Sequence, residues 1–176
     1  KRFLERMPHP DFGNRVPQLS FEVFRPVTGM EKHIRAVCVI PGSTEFGLSP
    51  KLVTNEPSKG ETEGLNRNCL RGQTDWEASM DELQGLCPAL KHVAIVVPWF
   101  GTDLRPASCA IRPGVMDRKQ NGESETWKAG AIGRAQAHLI SRTDAGVVYG
   151  GTPADASIVE AIRDAKARGL GVTLYP

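Results

Sequence analysis

The sequence lacks the patterns that define several large classes of protein. No apolar run approaches the ~18 to 20 residues that a membrane-spanning helix needs, and the first residues do not form a signal peptide. Lysine and arginine are scattered along the chain, and the formal net charge is only +2. We therefore expect no membrane span and no recognition of nucleic acid.

Motifs for catalysis and for cofactors are missing as well. The chain contains no GxSxG elbow, no Walker A run and no GxGxxG after a strand. Its histidines lie in unrelated segments, without the HxH or HxxxH spacing of metal ligands. The sequence therefore predicts no catalytic residue, no cofactor and no metal in this segment.

The cysteines Cys38, Cys69, Cys87 and Cys109 are far apart and never form a C-x-x-C pair. Cys38 and Cys109 lie in apolar or strand-like contexts, where buried free thiols are common. We expect reduced structural cysteines. A disulfide among them, or a metal or iron–sulfur site, remains the alternative.

What is present suits a globular protein. The chain has 176 residues, 40% of them hydrophobic, which is enough to bury the core of one or two domains. Thirteen prolines and 18 glycines make it rich in loops. Such a composition suits a module wedged among partners as much as it suits an enzyme.

The clearest structural unit is the last stretch, residues 149–176, which predicts a loop, a helix, a tight stop and a strand. Thr152 suits the N-cap position, and Pro153 suits the first helical position. Gly169 can take the left-handed conformation that ends a helix, and a strand begins near Val172. The apolar residues predicted to face inward are Ile158, Val159, Ile162 and Ala165.

Two further elements precede this unit. Residues 92–100, HVAIVVPWF, predict a strand covered on both faces, which would lie parallel to the one at Val172. Residues 74–86 predict a helix that starts with a capping box formed by Thr74 and Glu77. Its predicted inward stripe is Trp76, Met80, Leu83 and Cys87.

The first third of the chain is less regular. Residues 19–24 and 35–40 each predict a strand, and the two either pair or cross from one domain to the next. Residues 43–72 are polar and lack a sustained period, which predicts an exposed loop or arm. Long irregular segments often contact partners, so this arm is a candidate contact surface, with a plain disordered loop as the alternative.

One group of residues is a candidate ligand site. Trp99, Asp103 and Arg105 follow the predicted strand at 92–100, at the end where parallel α/β proteins place ligand-binding loops. An aromatic platform with a carboxylate and a guanidinium could hold a sugar or another polar ligand. The alternative is a contact between Asp103 and Arg105 that only pins the loop.

Five strings of this sequence are similar to one family, the large baseplate "megatron" tail protein of gene transfer agents and related tailed phages. They span most of the chain, as follows: FGNRVPQLSFEV (12–23), RAVCVIPGSTEFG (35–47), TDWEASMDELQGLCPALKHVAIVVPWFGTDLR (74–105), SCAIRPGV (108–115) and YGGTPADASIVEAIRDAKARGLGVTLYP (149–176).

The resemblance implies a mixed α/β and β fold. Residues 1–42 would end a tail-hub-like β region, residues 43–73 would form the polar arm, and residues 74–176 would begin a TIM-barrel-like domain. The chain stops just after a strand, with too few strands to close a barrel, so we interpret it as an excerpt of a larger polypeptide. The paired carboxylates of similar glycoside hydrolase barrels lie on later strands, so no catalytic residue carries over.

For function, the resemblance implies a structural component of the virion's tail-tip baseplate that acts in tail assembly and in host attachment or cell-wall penetration. Its partners would be the hub and distal tail proteins, and it would form a homotrimer around the tail axis. The alternative is a carbohydrate-active, glycoside hydrolase-like barrel that acts on a host surface glycan. A third interpretation is a sugar-binding module that has no activity.

Overall fold

A computed structural model describes residues 29–42, 44–119 and 122–176. The strand predicted at 19–24 lies outside these residues. The described elements are, in order: β1 (Ala36–Val39), β2 (Thr54–Asn55), β3 (Glu63–Gly64), α1 (Asp75–Leu86), β4 (His92–Val96), β5 (Phe100–Gly101), β6 (Ile111–Arg112), β7 (Gly114–Val115), β8 (Lys128–Ala129), β9 (Ile132–Gly133), β10 (His138–Leu139), β11 (Arg142–Thr143), β12 (Gly146–Val147), α2 (Asp155–Ala167) and β13 (Gly171–Tyr175). Short 3-10 turns occupy Met30–His33 and Arg134–Gln136.

The main sheet has three parallel strands in the order β1, β4, β13. The parallel pairing of β4 with β13, which the sequence predicts, is confirmed. β1 joins the same sheet. One sheet therefore combines a strand from the predicted tail-hub-like region (1–42) with strands from the predicted TIM-barrel-like region (74–176). The remaining strands form two-stranded pairs of two residues each. No closed barrel forms within the ranges that the structure describes.

The strand predicted at 92–100 is shorter than expected, because the sheet pairing ends with Val96 opposite Tyr175 and Val97 donates only one further bond to the Tyr175 carbonyl. Pro98 has no N–H to continue the ladder. The two faces of this strand are covered to different extents. Val93 and Ile95 are fully buried, whereas the residues that alternate with them are only partly buried.

Helix α1 follows the prediction. The Thr74 side chain accepts a hydrogen bond from the Glu77 backbone N–H at 3.2 Å, as an N-cap should. The Glu77 carboxylate accepts from the N–H of Gln73 at 2.7 Å, one residue earlier than a standard capping box would have it. The four residues of the predicted stripe are buried or packed against the core.

Helix α2 corrects two predictions. Its N-cap is Ala154, which makes no side-chain capping bond, and not Thr152. Val159 is exposed, and Ala161 takes the buried position on the inner face. An arc centred on Ala161 and Ala165 leaves Val159 outside, because each residue turns the helix by about 100°. The predicted stop is confirmed, since Gly169 has a φ of +80°.

The described residues form two hydrophobic clusters. The sheet core lies between the helices and one face of the main sheet and contains Leu48, Trp76, Met80, Val93, Ile95, Ala161, Ala165 and Leu170. The loop core lies among the short strands and contains Phe46, Val53, Val115, Trp127, Ala129, Ala137 and Ala154.

The arm predicted at 43–72 is exposed only in part. Residues 45–49 are buried, and Phe46 and Leu48 enter the two different cores. Asn66, which is fully buried, holds the following turn by donating to the Ser49 and Lys51 carbonyls and accepting from the Val53 N–H at 2.9 Å. The expectation of an exposed arm is therefore wrong for this first part, because a few apolar side chains in a polar segment suffice to anchor it.

Candidate functional site

The three predicted ligand-site residues follow strand β4 along the chain. Trp99 is 46% exposed and directly precedes β5. β5 pairs antiparallel with β6, and residues 102–110 form the loop between them. Asp103 and Arg105 lie in this loop, which a backbone bond from Thr102 to Ala110 closes at 3.0 Å.

Asp103 and Arg105 bind each other. One carboxylate oxygen of Asp103 accepts from the Arg105 backbone N–H at 2.8 Å and from its Nε at 3.0 Å, while the other accepts from Nη2 at 2.7 Å. The guanidinium and the backbone N–H of Arg105 hold the pKa of Asp103 below its ordinary value. The loop-pinning contact is thus present, and ligand binding by Trp99, Asp103 and Arg105 stays a prediction.

A second polar group, which the sequence did not indicate, lies inside the loop core. The guanidinium of Arg134 is buried and joins two carboxylates: it bonds to Glu45 at 3.3 Å and to Glu123 at 2.9 Å. It also donates to the Asp117 carbonyl at 3.0 Å. Because Glu45 and Arg134 are separated by 89 positions, no local pattern could have paired them.

Aromatic rings complete the surroundings of Arg134. Its guanidinium carbon lies 5.9 Å from the centre of the Phe46 ring and 5.8 Å from the Trp127 ring, within the range of cation–π attraction. Glu45 is further fixed because its carboxylate accepts from the Met116 N–H at 2.7 Å. These contacts join three separate segments at one cation: the loop of Glu45 and Phe46, the loop between β7 and β8, and the turn that contains Arg134.

The pKa values of two carboxylates in and beside this group shift in opposite directions. Burial raises the pKa of Glu123, and the nearby charge of Glu45 adds to the rise, while Arg134 opposes it. Burial is the larger influence, so Glu123 takes up a proton more readily than an exposed glutamate does. By contrast, backbone N–H bonding at Lys119 lowers the pKa of exposed Asp117.

Next to this group is a cavity of about 400 Å³, here called the Arg134 cavity. It is lined by Arg118, Thr126, Trp127, Gly133, Arg134, Ala135 and Gln136. Arg118 is exposed, and its Nε donates to the Ala137 carbonyl at 3.1 Å. The sequence gives little indication of this cavity, because the pattern of residues 127–136 predicts only a weak helix or an irregular segment.

Thr152 has a different role from the predicted one. Its hydroxyl donates to the Pro98 carbonyl at 2.7 Å and accepts from the Gly114 N–H at 2.9 Å. Its backbone carbonyl accepts from the Trp127 indole N–H at 2.9 Å. The residue therefore connects the end of the main sheet to the loop core.

The other candidate chemistries can be checked against the geometry. All four cysteines are free thiols. Cys38 is exposed and Cys109 is partly exposed, so the expectation of burial is wrong for Cys38. In the described ranges, no three His, Cys, Asp or Glu side chains are grouped as metal ligands, and no helix is long and apolar enough to cross a bilayer.

Comparison with known proteins adds no further assignment. No protein-family model matches the chain, and no curated protein matches it.

Proposed function

We propose that this chain is part of a structural protein in the tail-tip baseplate of a phage or phage-like particle. It would act in tail assembly and in host attachment or cell-wall penetration. The observation that carries the proposal is the set of long strings similar to the baseplate megatron family, which together extend from residue 12 to residue 176.

The main sheet is compatible with this proposal. A TIM-barrel-like domain begins with a strand, a helix and a second strand parallel to the first. Strand β4, helix α2 and strand β13 occur in this order along the chain, with the short strands β5 to β12 between β4 and α2, and β13 pairs with β4 from Gly171 to Tyr175. The proposal includes that this sheet is part of such a barrel.

Exposed apolar side chains supply a surface for partners. Ile40 directly follows β1, Tyr175 ends β13, and Trp99 comes three residues after β4. Since these strands are parallel, all three residues lie at the carboxyl-terminal ends of strands on the same side of the sheet. Their exposed fractions are 64%, 62% and 46%. We call them the apolar rim. Concentrated apolar exposure of this kind is typical of protein contact sites.

The partly exposed second face of the sheet supports the same conclusion. Parallel sheets are normally covered on both faces. Here the helices pack on the face of Val93 and Ile95, while Cys38 and Thr173 on the opposite face are exposed. A protein that functions within an assembly would cover this face with a neighbouring subunit or domain.

The proposal can be tested on particles from cells that encode the chain. The particles are purified on a density gradient, and their tails are detached and analysed by mass spectrometry. We expect peptides of this chain to co-purify with hub and distal tail proteins, in a copy number per tail that fits a homotrimer. Absence of these peptides from intact, tail-bearing particles contradicts it.

One observation favours the carbohydrate-active alternative, namely the exposed indole of Trp99 at the strand end where sugar-binding loops lie. Asp103 is unsuited to donate a proton there, because Arg105 keeps its pKa low. The test is hydrolysis of peptidoglycan or surface polysaccharide by the full-length protein. Unchanged glycan binding by Trp99→Ala would remove the support that this residue gives.

A further inference from the structure

The Arg134 cavity has the features of a small-ligand site, and the proposed role in assembly does not use it. Its volume of about 400 Å³ lies within the ~300 to 1,000 Å³ of typical ligand pockets. Its lining residues include two arginines, Arg118 and Arg134, and two residues with neutral polar side chains, Thr126 and Gln136. The charged side chains among the lining residues are therefore both cationic.

One residue of the lining, Arg134, also carries a buried donor without an acceptor. Arg134 is only 5% exposed, and its Nε finds no hydrogen-bond partner among the described residues. Its two terminal nitrogens are engaged by Glu45, Glu123 and Asp117. A buried N–H without a partner is unfavourable, so the Arg134 side chain is held here at a cost that its other contacts offset.

Arg118 supplies the charge. It is exposed, and its Nε is bound to the Ala137 carbonyl, which fixes one edge of the guanidinium. Within the described ranges its terminal nitrogens have no acceptor. A guanidinium presents paired N–H groups that match the two oxygens of a carboxylate.

The neighbouring carboxylates limit the charge of the ligand. Glu45 and Glu123 both bind Arg134, so that cation is already balanced and Arg118 alone is left to attract an anion. A doubly charged anion would be repelled by both glutamates more strongly than a monoanion. Hydroxyl groups on the ligand would pair with Thr126 and Gln136.

From these observations we infer that the Arg134 cavity binds a monocarboxylate that carries hydroxyl groups, the chemical class of a hexuronic acid. The Arg118 guanidinium binds the carboxylate. The amide of Gln136 contacts a hydroxyl. The inference does not depend on assembly into a particle and is tested separately.

The experiment is a ¹⁵N–¹H NMR titration of the 176-residue chain with D-glucuronate, with glucose and inorganic phosphate as comparison ligands. We expect saturable shifts at residues 118 and 133–136 with glucuronate, and binding at least about tenfold weaker for glucose, because the charged hydrogen bonds are lost. Shifts elsewhere, or equal affinity for glucose or phosphate, overturn the inference.

Variants complete the test without disturbing the core. Arg118→Gln should weaken glucuronate binding about tenfold, and Gln136→Glu should weaken it further by placing a negative charge in the cavity. Arg163→Gln, which removes an exposed arginine on α2, is the matched control and should bind as the parent does. If Arg118→Gln or Gln136→Glu binds glucuronate as tightly as Arg163→Gln, the inference is wrong.

Discussion

The hydroxyl of Thr152 donates a hydrogen bond to the carbonyl of Pro98 at 2.7 Å, although 54 positions separate the two residues. The same hydroxyl accepts from the Gly114 N–H. Thr152 is 1% exposed and its bond to Gly114 is buried, so the Gly114 N–H has no access to water if the hydroxyl is removed. One side chain thus holds the loop after β4, strand β7 and the approach to α2 together.

Thr152→Val keeps the shape of this residue but removes the hydroxyl. We expect the free energy of unfolding to fall by about 1 to 3 kcal/mol, because the buried Gly114 N–H and the partly buried Pro98 carbonyl lose their partner. Urea denaturation followed by tryptophan fluorescence measures the change. The matched control is Thr143→Val, which removes an exposed hydroxyl and should change stability by less than about 0.5 kcal/mol. Equal losses in the two variants would contradict the assigned role.

The cap of helix α1 gives a second prediction. Thr74 is fully buried, and its hydroxyl accepts from the Glu77 N–H. Thr74→Ala should therefore cost about 1 kcal/mol or more of stability. The control is Ser79→Ala, in the exposed middle of the same helix, which should be neutral or slightly stabilising because alanine favours helix. A Thr74→Ala variant as stable as the control would show that the cap contributes nothing.

The raised pKa of Glu123 predicts a dependence of stability on pH. Just above the ordinary pKa of a glutamate, the folded chain binds more protons at Glu123 than the unfolded chain does. The contribution of Glu123 to the free energy of unfolding is therefore fully present below that ordinary pKa and decreases as pH rises through the raised pKa of the folded chain. Below the ordinary pKa and above the raised pKa, the contribution of Glu123 does not change with pH.

Glu123→Gln isolates this contribution, because it removes the titrating group and keeps the shape. Stability is measured by urea denaturation of both proteins between about pH 4 and about pH 7, a range that begins near the ordinary pKa of a glutamate. We expect the parent to lose stability relative to the variant as pH rises. The opposite slope would mean that Arg134 outweighs burial and that the pKa of Glu123 is lowered.

How much the sequence predicts depends on whether the signal is local. The capping residue Thr74, the stop at Gly169 and the parallel strands at 92–96 and 171–175 follow from short patterns, and the structure contains all of them. The role of Thr152 was missed because its partners are distant along the chain. The Pro98 effect on strand length is, by contrast, a local property of proline.

The candidate site was less predictable than the fold. The ion pair between Asp103 and Arg105 spans two residues, and the sequence offered it as one of two interpretations. The cluster of Glu45, Glu123 and Arg134 joins three loops, and its burial depends on Phe46 and Trp127 around it. No spacing rule describes such a group, because it is formed by tertiary packing alone.

The apolar rim predicts an effect on assembly without an effect on folding. Tyr175→Ser and Ile40→Ser remove exposed side chains, so each isolated variant should keep its unfolding temperature. We expect each to reduce incorporation into particles about tenfold, as truncation of an aromatic or apolar contact residue does.

The control for the rim is Val148→Ser, which changes an exposed apolar residue just after strand β12 and away from the main sheet. Incorporation is measured by quantitative mass spectrometry of purified particles. Normal incorporation of both rim variants would mean that this surface faces solvent in the particle.

The most direct test of the proposed function is an electron cryomicroscopy map of the tail tip of the intact particle. We expect the sheet of β1, β4 and β13, together with α1 and α2, to fit density in a symmetric ring or cone at the end of the tail. The apolar rim should lie against a neighbouring subunit or domain. A complete map of the tail tip that contains no density for these elements would contradict the proposal.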